Sequence, residues 1–201
     1  MELRHELEGD YKETENVTRE AFWNVYRPGC NEHLVLHNLR KSSTFIKELD
    51  YVAVEKGRVI GNIIYSRMMK EGMICNEIIA FGPISILPEF QGQGIGSLLI
   101  TETMKRAKEL GYKAVLITGN PDYYRRFGFI SASKYHIHLP DSSLDEEASF
   151  FMAKELEEDY LIKHPGIYNF DTVFDPSDIE LERFETLFSY KEKRESRAGD
   201  L

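Results

Sequence analysis

The first residues, MELRHEL, alternate apolar and polar positions as a short strand does, and DYKETENVTREAFWNVY then changes period, placing Val17, Ala21, Phe22 and Val25 on one helical face. Pro28 and Gly29 interrupt that helix, and NEHLVLHNLRKS reads as a second short one. DYVAVEKG, RVIGNIIYSRMM and MICNEIIAFGPISIL are rich in β-branched residues. They are divided by Lys56-Gly57 and Glu71-Gly72, which suit tight turns, so three successive antiparallel strands are predicted. From Gly94 to Leu110 the period is helical again, with Leu99, Thr103, Ala107 and Leu110 on the inner face and Gly111 as the terminator.

KAVLIT is a short, fully apolar strand of the kind buried in a parallel pair. In GNPDYYRRFGF, Asn120 caps, Pro121 opens and Gly128 ends a helix of about two turns. Further strands are predicted at YHIHL, SFFMAKEL and GIYNFDTVF, and a last helix after Pro176 carries Ile179, Leu181, Phe184, Leu187 and Phe188 as its stripe. No repeat, linker or low-complexity run divides the chain. The expected organisation is a core over 1–157, an extension over 158–195 packed on the same domain, and a polar, frayed tail at 196–201.

Composition narrows the functional classes. A chain of 201 residues with 42% hydrophobic residues can build a full core, and its net charge of -9 disfavours nucleic acid as a partner. No apolar run approaches the ~20 residues of a membrane span, and charges occupy the place of a signal peptide's apolar region. Cys30 and Cys75 lie far apart with no Cys-x-x-Cys spacing, so both read as reduced thiols in a cytoplasmic protein, without a metal.

The chemistry is concentrated in LPEFQGQGIGSLLI. A strand that enters a glycine-rich turn and then a helix makes an anion site, because first-turn amides are unpaired and glycines let a phosphate approach them. Gly92, Gly94 and Gly96 are not followed by the lysine of a nucleotide P-loop, and their spacing is not G-x-G-x-x-G. Gln91-Gly92-Gln93-Gly94-Ile95-Gly96, placed after PISILPEF and about thirty residues before YYRRFGF, resembles the Gln/Arg-x-x-Gly-x-Gly/Ala motif of the GNAT superfamily of acetyltransferases.

That resemblance implies an α/β (α+β mixed-sheet) fold, with antiparallel N-terminal strands and a splayed parallel pair that admits acetyl-CoA. It implies that the amides of Gln91, Gly92, Gln93, Gly94, Ile95, Gly96 and Ser97 hold the pyrophosphate, and that the backbone of Ile84, Ser85 and Ile86 pairs with the pantetheine arm. The family's Tyr-x-x-x-Gly-Phe spacing selects Tyr124, with Gly128 and Phe129, as the acid for the departing thiolate. A phenol of ordinary pKa about 10 is protonated at neutral pH and so can serve. Asn120 is a further cofactor candidate, or a helix cap alone.

Glu77 is the candidate base, set against an outward strand position with no catalytic role. His136 and His138 share a predicted strand face, and His33 and His37 have helical i, i+4 spacing without the Glu of a zinc motif. Trp23 and Tyr26 have rings that could sit over an ammonium group. The implied activity is transfer of an acetyl group to a small-molecule primary amine. The alternatives are an acyl-CoA-binding regulatory domain and a protein lysine or N-terminal acetyltransferase. Residues 158–195 would cover the acceptor or form a homodimer contact.

Overall fold

The computed structural model describes residues 1–140 and 148–195, and the tail 196–201 lies outside them. The elements in chain order are β1 (Glu2–His5), α1 (Tyr11–Phe22), α2 (Glu32–Leu39), β2 (Tyr51–Glu55), β3 (Arg58–Lys70), β4 (Met73–Ile86), α3 (Ile95–Glu109), β5 (Ala114–Thr118), α4 (Pro121–Tyr124), β6 (Ile130–Ser131), β7 (Ile137–His138), β8 (Phe151–Glu155), β9 (Gly166–Ile167) and α5 (Asp178–Glu185). They form two compact units: Met1–Ile64, Pro83–Ile100 and Thr172 onward make the first, and Tyr65–Gly82 with Thr101–Asp171 the second. β3, β4 and α3 each contribute residues to both. The extension beyond residue 157 is divided as well, with 158–171 in the second unit and 172–195 in the first.

In the first unit β1 pairs antiparallel with β2, and β2 with β3, with a bulge at Ala53/Val54. The β2–β3 turn is built as the sequence predicts: Lys56 and Gly57 both have positive φ, +52° and +80°, which matches the twist of the flanking strands. Leu87 N donates to Ile60 O at 2.9 Å. Gly61 is needed beside it, because a Cβ there would lie 2.9 Å from Ser85 O and 2.5 Å from Ile86 Cδ1. Leu36, Leu39 and Ile64 form one fully buried cluster, with Phe45, Val173 and Phe174 against it. Each such aliphatic burial is worth about 1.5–3 kcal/mol.

In the second unit β4 and β5 are parallel, over Ile78–Ala80 against Ala114–Leu116 and no further. β5 and β6 flank β8 antiparallel. Met68, Ile78, Ala80, Leu116, Phe151 and Tyr168 are central to the core here. The Glu71-Gly72 turn has φ of +51° and +76°, and Gly111 terminates α3 with φ +91°.

Three expectations are corrected. YHIHL is not one strand: Tyr135 ends a 3-10 turn, His136 is left-handed (φ +55°), and only Ile137–His138 is extended, paired with β9, so His136 and His138 do not share a strand face. GIYNFDTVF contributes just Gly166–Ile167 as strand. The stripes of α5 and α3 are narrower than read, since Ile179, Leu187 and Leu110 are exposed. Among the described residues no helix is long and apolar enough to cross a membrane.

Candidate functional site

The glycine turn belongs to the first unit. β4 ends at Ile86, Pro88–Phe90 make a 3-10 turn, and α3 begins at Ile95. Gly92 and Gly94 hold φ of +74° and +83°, and a Cβ on either would meet no heavy atom within 4 Å. The need for glycine is therefore a matter of backbone conformation beside open space, not of packing. Gly96 differs from the other two in lying inside the first turn of α3. The first intrahelical bond runs from Leu98 N to Gly94 O at 3.0 Å. The amides of Ile95, Gly96 and Ser97 precede it, lack an intrahelical acceptor and sit at the positive end of the helix dipole.

The glutamine side chains brace this turn. Gln91 Nε2 donates to Ile86 O at 3.0 Å, and Gln93 Nε2 to Glu89 O at 3.1 Å. Upstream, Ser85 is buried while Ile84 and Ile86 are half-buried. Ser85 Oγ donates to Asn62 Oδ1 at 2.5 Å and lies 2.8 Å from Thr18 Oγ1, which itself reaches Asn62 Oδ1 at 3.1 Å. This buried trio fixes α1, β3 and β4 together. It takes Ser85's side chain inward, so the strand can offer a ligand only its backbone at that position. Thr18 and Asn62 were not legible as site residues, because a lone polar residue in an amphipathic pattern carries no periodic signal.

The second unit holds Tyr124. Asn120 Oδ1 accepts from Asp122 N at 2.9 Å, so its side chain is committed to capping α4, and Gly128 (φ +84°) ends the 3-10 turn that follows. Tyr124 is half-buried, with ring centroids of Tyr123, Phe81 and Phe129 at 5.0, 5.9 and 5.9 Å. Gly119 sits against its edge: a Cβ there would be 2.5 Å from Tyr124 Cε2. Phe81 also touches Tyr65, which is fully buried, bonds Thr103 Oγ1 at 2.9 Å, and has its phenol pushed up by burial. The sequence carries no signal for Gly119, since it does not reveal which ring needs the space.

Glu77 is exposed on β4 and accepts from Tyr160 OH at 3.1 Å; burial, and then Glu77 itself, push that phenol up. Strand alternation puts Glu77 on the face of Phe81, about 13 Å away along the strand at ~3.3 Å per residue. The paired histidines have structural partners. His33 Nε2 lies 2.7 Å from Glu185 Oε1 and its Nδ1 3.4 Å from Cys30 Sγ, while His37 Nδ1 lies 2.7 Å from Glu15 Oε1. Among the described residues no His, Cys, Asp and Glu cluster suits a metal ion. Trp23 is buried, donates to Glu192 O at 2.9 Å, and has the chain's own Arg19 and Lys191 over its ring at 4.2 and 5.5 Å. Its face is thus already taken by internal cations.

Comparison with known proteins bears on this geometry. Residues 47–131, which include the glycine turn and Tyr124, match the acetyltransferase (GNAT) domain model. The uncharacterized N-acetyltransferase YhbS of Escherichia coli is 30% identical over 107 residues, 53% of this chain and 62% of YhbS. YjhQ of the same organism, also an uncharacterized N-acetyltransferase, is 29% identical over 82 residues, 40% of this chain and 45% of YjhQ. The chain thus spans about half the length of the curated relatives it matches. Over the whole fold the likeness is broader. The crystal structure of YhbS in complex with CoA superposes with a TM-score of 0.76 at 25% identity, covering 87% of this chain and 92% of that one. A GNAT family acetyltransferase from Brucella melitensis in complex with acetyl-CoA gives 0.69 at 28% identity, covering 87% and 97%. With the mixed sheet, the β4–β5 parallel pair and the glycine turn in place, this chain is similar in fold to GNAT acetyltransferases, and its residues 47–131 match that family's domain.

Proposed function

We propose that this protein is an acetyl-CoA-dependent N-acetyltransferase whose acceptor is the primary amine of a small molecule, attacked directly in a ternary complex. The observation that carries the reading is the turn at Gly92 and Gly94, whose left-handed glycines face open space immediately before the first turn of α3, where the amides lack intrahelical acceptors. Both similar solved structures, YhbS and the Brucella protein, are complexes with CoA or acetyl-CoA.

In this account the amides of Gln91 to Ser97 hold the pyrophosphate, and the backbone of Ile84, Ser85 and Ile86 pairs with the pantetheine arm. The acetyl donor supplies an activated thioester. The neutral amine attacks its carbonyl carbon, the C–S bond breaks, and Tyr124 gives its phenolic proton to the leaving sulfur. Glu77, too far along β4 for direct contact, takes the proton lost by the amine through water. Asn120 acts on the cofactor through the placement of α4 rather than through its capped side chain.

The test is twofold. Calorimetry should show CoA binding at least tenfold tighter than pantetheine, which lacks the pyrophosphate. Mass spectrometry should show an acetylated product from a pool of primary amines. Equal binding of pantetheine refutes the pyrophosphate assignment, and CoA binding with no acetylated product from any amine refutes the activity.

A further inference from the structure

The first unit contains a cavity of about 600 Å³ that the proposed chemistry does not use, lined by the start of α1, the end of α2 and the segment after α5. Its volume is within the ~300–1,000 Å³ range of small-molecule sites. The floor is rigid and electrostatically satisfied. Arg40, with a side chain 4% exposed, grips Glu6 with two bonds of 2.7 and 3.0 Å and Glu15 with one of 3.0 Å, and its guanidinium lies 4.0 Å from the Tyr11 ring centroid. Such a floor needs nothing from a ligand, and it holds the cavity's shape.

The rim is different. Lys41 Nζ lies 2.6 Å from His37 Nε2, and because an ammonium only donates, that nitrogen accepts and the imidazole proton sits on Nδ1, facing Glu15. Lys41 is thereby aimed without being neutralised. Lys12, across the mouth on the first turn of α1, likewise has no carboxylate within ion-pair distance among the described residues. Leu187 and Phe188 supply the apolar wall. Of the lining carboxylates, Glu15 is consumed by Arg40 and His37, which leaves the exposed Glu8 at the rim. Two lysines without a carboxylate partner, one of them held by His37, beside an aromatic wall suit one kind of guest, although the chain as a whole carries a net charge of -9.

We propose that this cavity is a second ligand site, which takes a small carboxylate bearing an apolar or aromatic arm: the carboxylate meets Lys12 and Lys41, and the arm packs on Leu187 and Phe188. The proposal stands independently of the acetyltransferase reading. The probe is phenylacetate, with phenethylamine as its cationic counterpart, titrated by calorimetry or protein-observed NMR into the full-length protein. Phenylacetate should bind at least tenfold more tightly than phenethylamine. Lys12→Glu with Lys41→Glu should weaken it at least tenfold, Phe188→Ala should weaken it severalfold, and CoA affinity should not change in the charge-reversed variant. Three results would overturn the site: no binding of phenylacetate at millimolar concentration, affinity indifferent to the charge reversal, or competition between phenylacetate and CoA.

Discussion

Gly119→Ala tests how Tyr124 is held. The added methyl would be 2.5 Å from Tyr124 Cε2, 3.2 Å from Cδ2 and 3.5 Å from Cζ. Carbon atoms prefer separations of about 3.5–4.0 Å, so the near edge of the ring must retreat by roughly 1 Å. Phe81, Phe129 and Tyr123 crowd the ring. If it stays, overpacking costs about 1–3 kcal/mol; if it moves, a proton donor displaced by ~1 Å costs on the order of 10²-fold in turnover. Either way CoA affinity should stay within about twofold, because Gly119 is absent from the glycine turn. Steady-state thiol release gives kcat, calorimetry the CoA affinity, and thermal unfolding separates strain from catalysis. Turnover within about threefold of the parent together with an unchanged unfolding midpoint, the sign that the ring has moved aside, in a protein where Tyr124→Phe is inactive, would refute the claim that the ring's position limits the reaction.

Three further outcomes follow from other parts of the molecule. Burial outweighs the nearby Glu185 and lowers the His33 pKa to about 4, so the unfolded chain binds a proton there that the folded one refuses; stability should fall as pH drops from about 6.5 to about 4, and His33→Gln should remove that slope in urea titrations. Asp50 is the opposite case: burial, and then the Glu6 carboxylate, raise its pKa well above the ordinary 3.8. The folded state therefore holds a proton the unfolded state has released, and stability should decline as pH rises from about 4 through neutrality; Asp50→Asn should flatten this and raise the unfolding temperature at pH 8. Gly94→Ala, where φ is +83° and the space in front is open, should cost about 1–2 kcal/mol of unfolding free energy through the backbone alone; an unchanged unfolding midpoint would show that the turn relaxes without glycine.

The parts of this architecture written in local chemistry were legible in the sequence. The Lys56-Gly57 and Glu71-Gly72 turns, the Asn120 cap, the Gly111 and Gly128 terminators and the strand-glycine-helix passage each depend on a few adjacent residues whose conformational preferences decide the outcome. Tertiary choices were not legible. His136 turns left-handed after a 3-10 turn because it ends one segment before Ile137 joins β9, and alternating letters in YHIHL cannot convey a partner thirty residues away. The same holds for the site. Gly119's role depends on the Tyr124 ring, Ser85's inward hydroxyl on Thr18 and Asn62, and Trp23's occupied face on Arg19 and Lys191. These are contacts between distant positions, with no periodicity to announce them.

The step on which the proposed reaction turns is the protonation, by Tyr124, of a thiolate leaving from a cofactor bound at the glycine turn. It is met most directly by free-thiol release from acetyl-CoA in the presence of pooled primary amines, comparing the parent protein with Tyr124→Phe at matched cofactor occupancy. The general-acid role of Tyr124 requires amine-dependent release from the parent, a fall of about 10²-fold or more in the variant in line with general-acid contributions of about 10²–10⁴, and CoA affinity within about twofold. Equal turnover by both proteins would contradict it.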